Sequence, residues 1–134
     1  MGSLSDYAEK KVLDHLVGKT ALTMPTAYIA LSTADPLDAG SGIAEPVANG
    51  YTRKATVAAD WNAAAGASPG TTTNANALSF PQASGSWGTI THFAIFDALS
   101  GGNMLFQGQL TVSKAVASGD TLSFAAGQIS LTMD

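Results

Sequence analysis

The sequence contains no cysteine and has few charged residues. The absence of cysteine excludes disulfide bonds and thiolate metal ligands within this chain. Charged residues make up 12% of the sequence, about half of the roughly 25% that is usual in soluble domains. Alanine, glycine, serine and threonine take their place, and their short side chains lose little entropy when a partner covers them. This composition favours a protein that packs against other protein surfaces.

Positive charge is also scarce, with six lysines and arginines and a formal net charge of −4. Nucleic-acid binding requires clustered basic side chains that displace counterions from phosphates. Only Lys10-Lys11 and Arg53-Lys54 are adjacent here. No apolar run approaches the roughly 20 residues of a membrane-spanning helix, and the first residues lack the apolar core of a signal peptide. We therefore expect a soluble chain that binds neither nucleic acid nor a membrane.

One helix is predicted near the N-terminus, over residues 5–17. Ser5 or Asp6 can cap its start by accepting hydrogen bonds from free backbone N–H groups. Gly18 is a natural stop, because glycine enters the left-handed region without a steric penalty. The apolar residues recur at roughly helical spacing: Leu4, Ala8, Val12, Leu13, Leu16 and Val17.

The rest of the chain has the pattern of strands and turns. Strands are predicted at residues 28–33, 51–59, 89–97, 104–112, 121–124 and 128–133, because β-branched, aromatic and alternating residues recur there between turn residues. Gly101-Gly102 suits a hairpin turn, and the small-residue stretch 63–76 is predicted to be an exposed loop.

This order of elements predicts one mostly β domain over residues 1–134. Short strands at intervals of about 8–12 residues are typical of an antiparallel β-sandwich or a barrel-like domain. The single short N-terminal α-helix lies within residues 1–18, and the β-domain takes up residues 26–134. No fixed-period repeat and no linker divides the chain.

Three stretches of the sequence have a recognisable pattern in this order. They are SDYAEKKVL at 5–13 leading into YIALSTADP at 28–36, GYTRK at 50–54, and WGTITHFAIFD at 87–97 with the later Gly108 and SGDTL at 118–122. Together they resemble a family of tailed-bacteriophage minor virion proteins, often labelled phage tail fibre or capsid decoration-like proteins. The resemblance covers nearly the whole chain. It implies a non-catalytic virion component located on the capsid surface, the collar or the tail.

Nucleophilic catalysis would need a nucleophile, a base and an orienting group within mutual reach. His15 and His92 are the two imidazoles of the chain. The first falls on the predicted helix and the second within a predicted strand, where a partly buried histidine usually has a structural role. No serine lies in a Gly-x-Ser-x-Gly elbow. We predict no enzyme activity, no catalytic residue and no cofactor.

Three carboxylates fall in or near one glycine-rich turn region: Asp35, Asp38 and Glu45. Their oxygens could converge on a hard cation such as calcium, although the spacing does not match an EF-hand loop. Alternatively, the two aspartates form turns by accepting hydrogen bonds from the backbone two residues further on. We predict no metal site, and both interpretations of these carboxylates stay open.

Two tryptophans, Trp61 and Trp87, flank the small-residue stretch. Exposed tryptophan rings can stack on sugars, with Asn62 and Gln82 as candidate polar partners. A tryptophan at the entrance of a strand more often anchors the rim of the core. This gives an alternative hypothesis, in which the chain is a host-surface carbohydrate-binding module of a tail fibre.

The leading hypothesis is a structural virion protein that assembles as a homo-oligomer, either as capsid decoration or as a tail or collar accessory. Its partners would be further copies of itself, with a trimer suggested by the symmetry of such particles, and major capsid or tail proteins. We expect the helix at 5–17 and the loop at 63–76 to make the contacts between subunits.

Overall fold

The computed structural model describes residues 2–66 and 69–133. It is mostly β with one α-helix near the N-terminus, which confirms the predicted fold class. The elements in chain order are β1 (Gly2–Leu4), α1 (Asp6–Leu16), β2 (Tyr28–Ser32), β3 (Lys54–Ala55), a 3₁₀ turn (Ala58–Asp60), β4 (Gly70–Thr73), β5 (Leu78–Ser79), β6 (Gly88–Phe96), β7 (Met104–Val116), β8 (Ser123–Phe124) and β9 (Ser130–Met133). The helix of the described residues is too short and too polar to cross a membrane.

Seven strands form a curled sheet in the order β3-β2-β6-β7-β1-β9-β4, which makes a half-barrel. Strands β5 and β8 form a separate antiparallel pair. The main sheet is mixed, because β1 and β9 run parallel with Gly2 opposite Leu131. These two strands come from opposite ends of the chain, so no tight hairpin joins them and requires an antiparallel pairing.

The main core includes residues from most strands of the curled sheet and from the β5–β8 pair. Strand β6 is buried on both faces over its second half, as its apolar run predicts. Its Phe93 and Ile95 enter the main core, whereas Ala94 and Phe96 join a smaller cluster with Met104 on the other face. The remaining buried members of the main core come from β2, β5, β6, β7, β8, β9 and the loops between them: Ile29, Leu31, Leu78, Phe80, Ala83, Trp87, Ile90, Val116, Leu122, Phe124, Ile129 and Leu131.

The helix has the predicted ends. Ser5 is the N-cap, and its Oγ accepts from the Ala8 N–H at 3.2 Å and donates to the Met104 carbonyl. Gly18 follows the helix with a φ of +75°. This left-handed backbone conformation is unfavourable for a residue with a side chain. The strand β1 that precedes the helix was not predicted, and Leu4 belongs to it rather than to the helix.

Two predictions along the chain are wrong in extent. The strand predicted at 51–59 is reduced to β3, because Arg53 turns its side chain inward and the chain then enters the 3₁₀ turn. The loop predicted at 63–76 contains β4, whose threonines pair with β9 from Gly70 opposite Met133 to Thr73 opposite Ser130. β-Branched threonine suits a strand even in a small-residue stretch. The part of this loop at Ala67 and Ser68 lies outside the described residues.

Candidate assembly surface

The two histidines lie on different elements and have local contacts. His15 is exposed on α1, and its Nδ1 accepts from the Leu22 N–H at 3.0 Å. His92 is half-buried on β6, with its Nδ1 2.8 Å from the Thr91 hydroxyl. Neither ring bonds a carboxylate within the described part of the chain. Both rings therefore make local contacts within the fold.

The three candidate cation ligands are each bonded to a different partner. Asp35 Oδ1 accepts from the Leu37 N–H at 2.9 Å, which is the predicted turn-forming bond. Asp38 Oδ1 accepts from Gln107 Nε2 at 2.8 Å, and Glu45 is paired with an arginine. Over residues 2–66 and 69–133, no group of three or more histidine or acidic side chains is arranged to hold a metal ion. The turn-forming interpretation is therefore confirmed for Asp35, whereas Asp38 bonds the side chain of Gln107 on β7.

A buried polar cluster explains the Gly-Tyr-Thr-Arg-Lys stretch. Arg53 is buried, and its guanidinium binds both carboxylate oxygens of Glu45, with Nε–Oε1 at 3.0 Å and Nη2–Oε2 at 2.7 Å. Its Nη1 donates to the carbonyls of Ala98 and Gly101, each at 2.8 Å. The guanidinium also lies 3.8 Å from the centre of the Phe96 ring, within the range of a cation–π contact.

Tyr51 completes this cluster. Its hydroxyl donates to Glu45 Oε1 at 2.7 Å and accepts from the Leu31 N–H at 3.0 Å. Burial raises the pKa of Tyr51 well above its usual value, and the neighbouring Glu45 carboxylate raises it further. The phenol is therefore neutral at ordinary pH. Because each polar atom of the cluster has a partner, we interpret it as a structural tie between β2, the 45–53 segment and the β6–β7 hairpin.

The β6–β7 hairpin is held by a second carboxylate. Burial works against ionisation of Asp97, but hydrogen bonds from the Asn103 side chain at 2.9 Å and its backbone N–H at 2.7 Å lower the pKa of this carboxyl below its usual value. Asp60 also has a lowered pKa, because it accepts from the Val57 N–H at 3.0 Å and from the Asn76 side chain. Both carboxylates therefore stabilise turns by accepting hydrogen bonds from backbone N–H groups.

Both tryptophan side chains pack and donate hydrogen bonds within the fold. Trp87 is 4% exposed, its Nε1 donates to the Asn49 carbonyl at 2.9 Å, and its ring meets the Tyr51 ring edge-on. It is not available to stack on a sugar. Trp61 is half-buried against the main core, and its Nε1 donates to the Thr56 hydroxyl at 3.0 Å.

The two amides proposed as sugar ligands also have partners within the chain. The Asn62 amide donates to the Thr73 hydroxyl at 2.9 Å, and the Gln82 amide donates to the Gly119 carbonyl at 2.9 Å. The first amide therefore bonds a side chain of β4 and the second a backbone carbonyl of a turn.

The end of the helix presents an apolar surface to solvent. Leu13, Leu16 and Val17 are 62%, 73% and 77% exposed, whereas only Ala8 of this helix is buried. We call these three residues the helix-end patch. Apolar spacing along a helix indicates which face is apolar, but it does not indicate whether that face covers the core or a partner. The exposure of the patch makes it a candidate contact surface.

A groove lies beside the second half of strand β7. Strand β1 pairs with β7 only from Leu4 opposite Phe106 to Gly2 opposite Gly108, so the edge of residues 109–115 has no partner strand among the described residues. The groove has a volume of about 690 Å³ and is lined by Phe93 and by residues 109–115, 122–124 and 127–129. We call it the β7 groove. The sequence did not predict it, because its lining residues come from separate stretches of the chain.

Comparison with known families places these surfaces in context. A family model described as podophage GP4 fiber I protein gp80 matches residues 3–132. The match includes both the helix-end patch and the β7 groove. No curated protein matches the sequence.

Proposed function

The chain belongs to the family of the podophage GP4 fiber I protein gp80, and we propose that it is a non-enzymatic fibre subunit that assembles as a homo-oligomer. Membership of this family makes the chain a component of the virion. The observation that supports self-assembly is the helix-end patch, with Leu16 and Val17 more than 70% exposed in the single chain. Burial of a leucine or valine side chain contributes about 1.5–3 kcal/mol, so a contact over this patch would stabilise an oligomer.

The polar groups of the chain support a structural role. Glu45, Asp97 and His92 are three half-buried side chains that could act in acid–base chemistry, and each one is bonded within the fold. Family membership and these contacts together support a subunit that works through its surfaces. Its further partners in the particle would be the proteins to which the fibre attaches.

The position of the protein on the particle can be tested by its copy number. We expect quantitative mass spectrometry of purified particles to find a few copies for each fibre attachment site. Hundreds of copies per particle would instead indicate capsid decoration, and would contradict the fibre assignment. Absence of the protein from purified particles would contradict the proposal as a whole.

Self-assembly can be tested by a variant of the helix-end patch. The double variant Leu16→Ser/Val17→Ser removes exposed apolar groups, so the single chain should keep its stability while the oligomer dissociates. Val57→Ser is the matched control, since Val57 is 66% exposed elsewhere on the surface. Light scattering should show an oligomer for the control and a smaller species for the double variant. A wild-type protein that is monomeric at high concentration would contradict self-assembly.

A further inference from the structure

We infer that the hydrogen bond between the Leu22 N–H and the His15 imidazole is a pH-dependent switch, which holds residues 21–26 beside the end of α1 and opens when His15 is protonated. We call these residues the 21–26 segment. The switch belongs to the single chain and does not depend on the proposed homo-oligomer. It rests on the direction of this bond, on the other contacts of the segment and on the position of His15 in the helix.

The direction of the bond determines the protonation state of the ring. A backbone N–H can only donate, so the Leu22 N–H, whose nitrogen lies 3.0 Å from His15 Nδ1, requires an unprotonated Nδ1. The proton of the neutral imidazole therefore lies on Nε2. In the imidazolium both ring nitrogens carry a proton, and neither can accept a hydrogen bond. Protonation of His15 therefore removes the acceptor and sets two N–H groups against each other.

The 21–26 segment has few other contacts. All six of its residues are exposed, and among the described residues the bond to His15 is the one hydrogen bond that the segment makes. The chain on either side of it is held by the Thr20 N–H, which donates to the Asp14 carbonyl, and by the Ala27 carbonyl, which accepts from the Thr56 N–H. Loss of the His15 acceptor therefore leaves the segment without a hydrogen bond between these two points.

The charge that opens the switch is favourable for the helix itself. His15 lies in the last turn of α1, where the free carbonyls form the negative end of the helix and a positive charge is stabilising. The Lys19 and Thr20 N–H groups both donate to the Asp14 carbonyl, so these two bonds do not involve the imidazole. We therefore expect protonation to free the 21–26 segment while α1 stays folded.

The charged groups near His15 in sequence are of both signs. Lys11 precedes it by one helical turn, Asp14 is adjacent to it, and Lys19 follows the helix. Of the two strands that α1 contacts, β1 has no charged residue and β7 has Lys114 as its charged residue. Histidine is the side chain that ordinarily changes charge between pH 5 and 8. A transition of the segment in this range would therefore point to His15 rather than to these neighbours.

The switch is located within the surface that we propose for self-assembly. His15 lies between Leu13 and Leu16 of the helix-end patch in the sequence, and the segment that it holds carries two further exposed apolar side chains, Leu22 and Met24. Protonation would place a positive charge beside the patch, and a charge buried in a contact without a partner is unfavourable. Acid should therefore weaken association through the patch. This consequence rests on the proposed function, whereas the switch itself does not.

An NMR titration of the ¹⁵N-labelled full chain between pH 8 and 5 tests the switch. Above the transition, the ring nitrogen shifts of His15 should show an unprotonated Nδ1 and a protonated Nε2. As the pH falls, the shift of the Leu22 amide should change with the same midpoint as the His15 ring. Its protection against hydrogen exchange, relative to an unprotected amide at the same pH, should fall about 2- to 10-fold, as expected for the loss of one hydrogen bond.

Two variants separate the effect of His15 from that of its neighbours. His15→Gln keeps an acceptor oxygen in the side chain but does not titrate, so the Leu22 amide should become independent of pH between 5 and 8. Asp14→Asn removes the adjacent carboxylate and should leave the transition in place. The amides of residues 10–13 lie inside α1 and should keep their protection in all three proteins, which shows that the helix stays folded.

Three results would overturn the switch. The first is a neutral His15 ring that carries its proton on Nδ1, since this ring could not accept from the Leu22 N–H. The second is a Leu22 amide whose shift and protection stay constant while His15 titrates. The third is a transition that persists in His15→Gln. His92 is the internal control in the same spectra, because its Nδ1 contacts the Thr91 hydroxyl and the Leu22 amide should not follow its titration.

Light scattering at pH 7.5 and pH 5 tests the consequence for assembly separately. The dissociation constant of the wild-type oligomer should rise at pH 5, and that of His15→Gln should rise less. A switch that is seen by NMR, together with an oligomer of equal affinity at both pH values, would support the switch and contradict its link to the helix-end patch. A wild-type chain that is monomeric at both pH values would contradict the proposed self-assembly, while the NMR result would still decide the switch.

Discussion

Arg53 and Glu45 form a bidentate ion pair, in which Nε and Nη2 of the guanidinium lie 3.0 Å and 2.7 Å from the two carboxylate oxygens. The arginine side chain is 6% exposed and that of the glutamate 22%. The same guanidinium donates hydrogen bonds to two backbone carbonyls of the β6–β7 hairpin, those of Ala98 and Gly101. One side chain therefore links the loop that carries Glu45 to the hairpin that begins β7.

Removal of Arg53 should destabilise the fold strongly. Arg53→Ala leaves the Glu45 carboxylate partly buried without its partner, and loss of one member of such a pair costs about 3–5 kcal/mol. Arg53→Lys should also lower the free energy of unfolding, because an ammonium group cannot make the two parallel bonds. Chemical denaturation measures both, with Thr52→Ala as the exposed control. Equal stability of Arg53→Lys and wild type would contradict a stabilising role of the bidentate geometry.

Tyr51 should make the fold sensitive to alkaline pH. Burial raises the pKa of Tyr51 in the folded chain, whereas a tyrosine in the unfolded chain titrates near pH 10. Its contribution to stability is therefore complete below about pH 10 and is lost as the pH rises above that value. The free energy of unfolding of Tyr51→Phe should fall less steeply than that of wild type between about pH 9 and 11. Parallel curves for the two proteins would contradict this prediction.

Sequence patterns predicted the elements that depend on local signals. The helix was predicted because Ser5 is a cap and Gly18 is a stop, and both act on their immediate neighbours. Strand β6 was predicted from the apolar run that ends at Phe96. The hairpin after it was predicted from its two glycines, and these have φ values of +62° and +75°.

Elements that depend on distant partners were missed. Strand β1 has three residues, and it is a strand because Gly2 meets Gly108 and Leu131 far along the chain. The threonines of β4 were predicted to be part of a loop, because they form a strand only by pairing with the distant β9. The exposure of the helix-end patch could not be predicted either, because the apolar spacing that ends at Val17 is compatible with a buried face or an exposed one.

Asp97 should contribute stability at neutral pH that is lost in acid. Burial opposes its ionisation, but the bonds from Asn103 lower the pKa of the carboxyl in the folded chain. Its contribution is present above about pH 3.9, the value for an unfolded aspartate, and is lost as the pH falls through the lower folded value. Asp97→Asn should melt below wild type at pH 7, and the difference should shrink in acid. A difference that is constant with pH would contradict this.

Asn74 should be difficult to replace. It is fully buried, its amide donates to the carbonyls of Asn76 and Ala125 at 2.8 Å and 2.9 Å, and its Oδ1 accepts from the Ile129 N–H at 2.8 Å. Asn74→Ala leaves these backbone groups without partners and should lower the free energy of unfolding by about 2–4 kcal/mol. Asn62→Ala removes an exposed bond and should cost less than about 1 kcal/mol. A similar loss for both variants in urea unfolding would contradict the role of burial.

Gly2 should tolerate no side chain, because β1 fits tightly between its two neighbours. A Cβ atom on Gly2 would lie 2.9 Å from Leu131 Cδ2, 2.9 Å from Phe93 Cζ and 3.2 Å from the Gln107 carbonyl oxygen.

Phe93 is buried in the main core, so its ring has little room to move, and the carbonyl belongs to the pairing between β1 and β7. Gly2→Ala should therefore lower the free energy of unfolding by about 1–3 kcal/mol, as overpacking of a filled core does. Gly2→Val should cost more. Ser3→Ala is the matched control on the same strand, since Ser3 is exposed, and it should leave stability close to wild type. Because β1 pairs with residues 106–108 of β7, Gly2→Ala should also speed hydrogen exchange at these residues, and unchanged exchange there would contradict the tight fit of β1 between β7 and β9.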